Sequence, residues 1–241
     1  RKNLIEKLKQ KEFSPFPTIY SEEGIVMKDP PPTSELPFIK EGLYIIQDEA
    51  SQLVTSILDP KPEEHILDAC AAPGSKTTHI AQKMENRGEI YALDLSKGKI
   101  DFIEEMCQRL GIKVVQTIKG DATKILPVPQ GIKFDRILAD VPCSGFGTLR
   151  RNPDLKWRRR EKEIKRLSEL QSSILRNLSV YVKEGGVFIY STCTVFHEEN
   201  EEVVEKFLDE HPEFQLDRMD KVLPEEFHSL IQNRFFKTFP P

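Results

Sequence analysis

Cys143 and Cys193 are the residues best suited to do chemistry in this chain of 241 amino acids. Cys143 lies in DVPCSG and Cys193 in STCT, and each directly follows an apolar run that reads as a strand. Most free cysteines are small buried hydrophobes, and Cys107, inside a helical apolar stripe, is expected to be one. Two thiols in loops just past strand ends are better explained by thiolate chemistry. Asp68, Asp94, Asp121 and Asp140 also close strand-like runs. A single strand-terminal aspartate is commonplace as a turn former or helix cap. Several together, with a cysteine after the next strand, describe a site, because α/β sheets bind ligands beyond the carboxyl ends of their strands.

The stretch DACAAPGSKTTHIAQKM, from Asp68 to Met84, reads as strand, tight turn of small residues, then helix. Ala69, Ala71, Ala72, Gly74 and Ser75 would let backbone approach a ligand closely, and the following helix would aim its free N–H groups at it. An ordinary strand-to-helix turn looks similar, so other residues must decide. Asp94 stands where an acid at the end of the second strand can accept hydrogen bonds from a ribose diol, a role that fits NAD and S-adenosylmethionine equally. The pattern G-x-G-x-x-G is absent, since DACAAPGSKT has one glycine. Without close glycine contacts for a pyrophosphate, a nucleoside cofactor lacking phosphates fits better, with Asp121 placed for its adenine amino group.

Alternating strands and helices have to position these groups, and the sequence supplies them. Expected strands end near Asp68, Asp94, Asp121, Asp140 and Cys193, with helices between them, so the chain reads as α/β with a mostly parallel sheet. A further strand is expected over residues 43–47, ahead of a helix capped by Asp48. The long helix after residue 160 is expected to carry Ile164, Leu167, Gln171, Ile174, Leu178 and Val182 on one stripe and to stop at Gly185 and Gly186. Residues 198–210 read as an acidic helix, and 214–216 and 234–236 as strand-like. Residues 1–40 are broken by six prolines and read as a linker with one short helix and strand pieces at 18–20 and 25–27, leaving 41–241 as the catalytic domain.

The apolar content of 38% supplies a sizeable core, and no apolar run is long enough to span a bilayer. The charged opening RKNLIEKLKQKEF is unlike a signal peptide, so a cytoplasmic location is expected. Four scattered cysteines, with no C-x-x-C pair and no histidine at ligand spacing, give no reason to expect a disulfide framework or a metal site. The net charge of −4 hides an asymmetry: residues 150–166 carry nine Lys/Arg against three Asp/Glu. A local basic stripe is what a phosphate backbone requires, although a solvated helix face would have the same composition. Trp157, inside the stripe, could stack a base or pack under the loop, and packing is the expectation.

The motifs DACAAPGSKTTH, ADVPCSG followed by RRNPDLKW, and STCTVFHEEN together closely resemble those of the Sun (Fmu) type RNA cytosine-5 methyltransferases, with the bacterial small-subunit ribosomal RNA branch as the best match. The resemblance covers roughly residues 40–210, with Ser75 replacing a usual glycine. It implies a Rossmann-like class I S-adenosylmethionine-dependent methyltransferase fold. The implied activity is 5-methylcytidine formation in ribosomal RNA through a cysteine adduct at carbon 6 of cytosine, with transfer RNA as the alternative substrate. In this reading Cys193 is the nucleophile, Cys143 helps release the product, and Asp140 contacts the cofactor's methionine end or assists at the ring's N3. Cys70, Ala71, Ala72, Pro73, Gly74, Ser75 and Lys76 cradle S-adenosylmethionine, joined by Asp94, Asp121 and Asp140. Arg150, Arg151, Lys156, Arg158, Arg159 and Arg160 hold RNA phosphates. A monomer is expected, and the chain, which starts without methionine, is expected to be a fragment of a longer protein, without its N-terminal RNA-binding domain and one terminal sheet strand. A non-catalytic RNA-binding protein of the same fold and a NAD-linked oxidoreductase are the competing classes.

Overall fold

A computed structural model describes residues 1–158 and 161–238. In chain order it contains α1 (Lys2–Lys9), β1 (Pro15–Pro17), β2 (Ile25–Met27), α2 (Glu49–Leu58), β3 (His65–Asp68), α3 (Ser75–Lys83), β4 (Glu89–Asp94), α4 (Lys97–Leu110) and β5 (Val115–Lys119). There follow β6 (Phe134–Asp140), α5 (Leu155–Arg158), α6 (Glu161–Ser179), β7 (Val182–Ser191), α7 (Glu201–Glu210), α8 (Met219–Val222), β8 (Ile231–Gln232) and β9 (Phe235–Phe236). The central sheet has the order β5-β4-β3-β6-β7 and every pairing in it is parallel.

Both faces of that sheet are covered. Ile66 packs with Ile80, Ala81 and Met84 of the α3 side, while its neighbour Leu67 packs with Ile174, Leu175 and Leu178 of α6. Alternating residues of β3 are thus buried in opposite directions, which is why its sequence is an unbroken apolar run rather than an apolar-polar alternation. The chain enters the sheet centrally at β3, winds outward to β5, then crosses back to β6 on the other side of β3. That reversal opens a crevice above the carboxyl ends of β3 and β6, where Asp68 and Asp140 lie.

Four expected elements differ from the sequence reading. Residues 43–47 form no strand: the Ile39 and Tyr44 carbonyls accept from the Arg109 guanidinium, at 2.5 and 3.2 Å, and no strand of the central sheet lies alongside. The strand expected at 18–20 lies instead at Pro15–Pro17, paired antiparallel with Ile25–Met27. Gly185 and Gly186 do not stop α6, which ends at Ser179; they lie inside β7, and Val182 pairs with Phe134 rather than extending the helical stripe. A Cβ at Gly186 would sit 2.9 Å from the Asp135 carbonyl, and Gly185 has φ of +71° in open space, so one glycine serves a close approach of the paired strands and the other a left-handed backbone beside the register shift. Residues 214–216 are irregular, because Phe214 packs its ring against Phe188 and Phe207 with no strand alongside.

The N-terminal segment lies against the sheet's helices. Tyr20 and Ser21 amides donate to Glu49 at the start of α2, and Lys83 of α3 pairs with Glu23 at 3.0 Å. Among the described residues no helix is long and apolar enough to cross a membrane, and no group of three or more His, Cys, Asp or Glu is placed to hold a metal ion.

Candidate active site

The β6–β7 pairing sets the site. Asp140 is in register with Ser191, so Cys143 lies three residues past the end of one strand and Cys193 two residues past the end of its neighbour. Fifty residues apart in sequence, the two sulfurs are 3.1 Å apart, and the Cys193 amide donates to the Cys143 Sγ at 3.2 Å. The two loops are fastened together around them. Ser144 and Thr194 hydroxyls bond at 2.7 Å, the Gly147 amide donates to the Cys193 carbonyl at 2.9 Å, and the Phe146 and Phe196 rings meet edge to face. Gly147 leaves no room for a side chain, since a Cβ would sit 2.8 Å from the Cys193 oxygen.

The two thiols are not equivalent. Donation from the Cys143 thiol lowers the Cys193 pKa, with the Lys76 ammonium acting in the same direction against burial and Asp140. That same bond, together with burial, raises Cys143. The thiolate is thus favoured on Cys193, the exposed member of the pair.

Beside the thiols, Asp140 accepts from Lys76 Nζ at 2.6 Å and from Ser191 Oγ at 2.7 Å. Lys76 thus neutralises a carboxylate inside the site rather than serving as a surface lysine. Below them Asp68 is buried, accepting from the Thr77 hydroxyl at 2.7 Å on one oxygen while the other has no partner. Burial pushes its pKa up to about 7, opposed by the Thr77 bond, with the Asp140 charge adding to the rise.

That shift makes a prediction about stability. With a folded value near 7 and an ordinary value of 3.8, the folded state holds a proton that the unfolded state has lost, so stability falls as pH rises across this window. Replacing Asp68 with Asn keeps an acceptor for Thr77 and removes the penalty. Asp68→Asn is expected to be more stable than the parent by on the order of 3 kcal/mol at pH 8 and nearly equal to it at pH 4. His79 works in the opposite sense: burial lowers it to about 4 from 6.5, so its contribution is lost as pH falls through that range. Subtracting variant from parent unfolding curves cancels His79, and a difference that does not change with pH would contradict the Asp68 assignment.

The turn from Cys70 to Lys76 forms a cradle over the β3 end. Gly74 has φ of +102° and caps α3, leaving the first amides of the helix without a side-chain cap. Ala72–Pro73 is a cis peptide. Asp94 grips this turn, accepting from the Ala72 amide at 3.3 Å and from the Ser96 amide at 3.0 Å. Cys70 is half-buried; desolvation, with the Asp68, Asp140 and Asp94 charges adding to it, raises its pKa, and it stays a thiol. Asp121 lies just past β5, one oxygen accepting from both the amide and the hydroxyl of Thr123, the other 3.7 Å from Lys124.

The basic segment continues directly from the Cys143 loop. Arg151 forms an ion pair with Asp48, the residue that caps α2; both side chains are substantially exposed, and such a pair is weak enough to exchange for a phosphate. Trp157 is not packed under the loop as the sequence suggested. It is 81% exposed on the four-residue α5, too short to dock a face, with Lys156 Nζ 5.0 Å from its ring centre. Arg159 and Arg160 lie outside the described residues, as does the side chain of Arg158.

Ser191, Thr77, Gln171, Glu199 and Asn200 also serve the site, although the sequence assigned them no chemical role. Glu199 and Asn200 could have been noticed as the polar end of STCTVFHEEN. Gln171, a polar residue on the apolar stripe of α6, carried the clearest signal.

The profile described as "16S rRNA methyltransferase RsmB/F" matches residues 55–240. The chain is 45% identical over 204 residues to the probable ribosomal RNA small subunit methyltransferase B of Bacillus subtilis, covering 84% of this chain and 46% of that one. The crystal structure of PH0851 superposes with a TM-score of 0.85 at 38% identity, over 90% of this chain and 49% of the other. NSun6 from Pyrococcus horikoshii with SFG gives 0.77 at 27% identity, over 87% and 77%. The chain spans about half the length of the curated relatives it matches.

Proposed function

The chain belongs to the 16S rRNA methyltransferase RsmB/F family, and from that premise we propose that it transfers a methyl group from S-adenosylmethionine to carbon 5 of a cytosine in small-subunit ribosomal RNA. The observation that carries this reading is the pair of thiols 3.1 Å apart beside the Lys76–Asp140 pair, at the mouth of the cradle.

The cradle fits the cofactor on its own terms. Its small side chains, the open N-terminus of α3 and the Asp94 carboxylate suit a nucleoside bearing an amino acid, and no glycine pattern provides for a pyrophosphate. When bound, S-adenosylmethionine supplies an electrophilic sulfonium methyl group. Cys70 to Lys76, Asp94, Asp121 and Asp140 would hold it.

Carbon 5 of cytosine is too weak a nucleophile to take a methyl group unaided. The Cys193 thiolate adds to carbon 6, forming an S–C bond and moving the electron pair of the 5,6 double bond onto the ring, where carbon 5 becomes enamine-like. Asp140 would assist protonation at N3 by relaying a proton from Lys76 Nζ, from which it accepts at 2.6 Å. After methylation the carbon 5 proton must leave so that its bonding electrons restore the double bond and expel Cys193. Cys143, adjacent to the departing sulfur, would pass this proton on to solvent while Cys193 leaves as a thiolate.

A cytosine can reach these sulfurs only if it is unpaired or flipped out of its stack. Arg150, Arg151 and Lys156, on the chain leaving the Cys143 loop, would then meet the flanking phosphates. The test is transfer of a labelled methyl group to transcribed, unmodified small-subunit ribosomal RNA, followed by nucleoside digestion. Label in 5-methylcytidine supports the reading; label in any other nucleoside excludes it.

A further inference from the structure

Behind the two thiols, Glu199 is completely buried between the loops and α6. One of its oxygens accepts from the Ser144 amide at 2.9 Å and from Gln171 Nε2 at 2.9 Å, while the other has no partner. Gln171 also donates to the Pro142 carbonyl at 3.0 Å, so the residues on both sides of Cys143 are tied to this pair. The backbone of Glu199 is itself fixed, its carbonyl accepting from the Tyr190 hydroxyl at 2.6 Å.

The next residue grips the other loop. Asn200 donates to the Thr194 carbonyl at 3.3 Å and the Phe196 carbonyl at 2.9 Å, and accepts from the Thr192 hydroxyl at 2.6 Å. Thus Glu199 holds the chain around Cys143 while Asn200 holds the chain around Cys193. A buried polar side chain is costly to keep, and its bond to a backbone amide is what gives it structural value here.

We infer that Glu199 is a positioning residue for the release step, holding the Ser144 amide so that the Cys143 thiol stays opposite the sulfur that must depart. The inference rests on the assignment of release to Cys143 made above. It concerns acceptor geometry: a glutamine at position 199 can present one oxygen to both donors and place its amide nitrogen where the unpartnered oxygen lies, whereas alanine leaves the Ser144 amide with no acceptor.

The experiment follows the lifetime of the denaturation-resistant protein–RNA adduct formed on transcribed small-subunit ribosomal RNA with S-adenosylmethionine. Parent, Glu199→Ala, Glu199→Gln, Gln171→Met and Cys143→Ala are compared, with circular dichroism and cofactor affinity as checks on folding. Glu199→Ala is expected to lengthen the adduct lifetime about ten- to a hundredfold, the usual cost of misplacing a reacting group by an ångström or less. Glu199→Gln should stay within about threefold of the parent, and Gln171→Met should fall between them. Bridging of the two thiols by dibromobimane, which needs no RNA, should drop in Glu199→Ala and persist in Glu199→Gln.

A folded Glu199→Ala that releases product at the parent rate, while Cys143→Ala traps the adduct, overturns this inference alone. So does a Glu199→Gln as slow as Glu199→Ala. If Glu199→Ala does not fold, an unchanged adduct lifetime in Gln171→Met has the same consequence. If Cys143→Ala itself releases normally, the assignment of the thiols falls and the inference with it.

Discussion

Cys193→Ala is expected to abolish methyl transfer and covalent adduct together, with a loss on the order of 10⁴-fold or more in rate, as when the nucleophile of a covalent mechanism is removed. The reason lies in the ring rather than in the cofactor: without an S–C bond at carbon 6, carbon 5 has no electron density to offer. The fold should survive, because Cys193 is an exposed loop residue whose backbone carbonyl and amide hold the neighbouring chain, its side chain adding only the contact with Cys143 Sγ. Affinity for S-adenosylmethionine should therefore stay close to that of the parent, measured by calorimetry. A variant that keeps even a hundredth of the parent rate would show that Cys193 is not the attacking group.

Cys143→Ala is expected to do something different in kind. Attack by Cys193 proceeds, since its thiolate is also favoured by Lys76, but the adduct persists and appears as a band that survives denaturing electrophoresis. Slowing of release by about a hundredfold or more is expected, the range over which a positioned proton-transfer group contributes. The loss of the Cys143 thiol also removes a donor to Cys193, so adduct formation should shift to higher pH as well as becoming longer-lived. If the stable band appears with Cys193→Ala and not with Cys143→Ala, the roles are exchanged. If it appears with neither, the chemistry is not covalent.

The amino-acid sequence by itself determined the parallel α/β architecture and brought out the strand-end residues from which the proposed site is built. Strand period, helix stripes and strand-end aspartates are local properties, and a parallel sheet with buried faces writes them as apolar runs each ending in a polar residue, as at Asp68, Asp94 and Asp140. What only the tertiary structure decided is how those residues face one another. The Asp140–Ser191 register brings Cys143 to Cys193, and the β3–β6 adjacency brings Lys76 to Asp140. Neither relation has a trace in spacing, because pairing between distant strands is set by global packing rather than by neighbours in the chain. The same holds where the local pattern misled. Residues 43–47 have a strand's composition but no partner strand, Gly185 and Gly186 look like a helix stop but lie inside β7 at a register shift, and Trp157 looks like a core anchor yet lies on a helix too short to bury it. Glu199 and Asn200 complete the point: one buried acid and the amide beside it hold two loops fifty residues apart, and only the folded chain shows that both loops meet there.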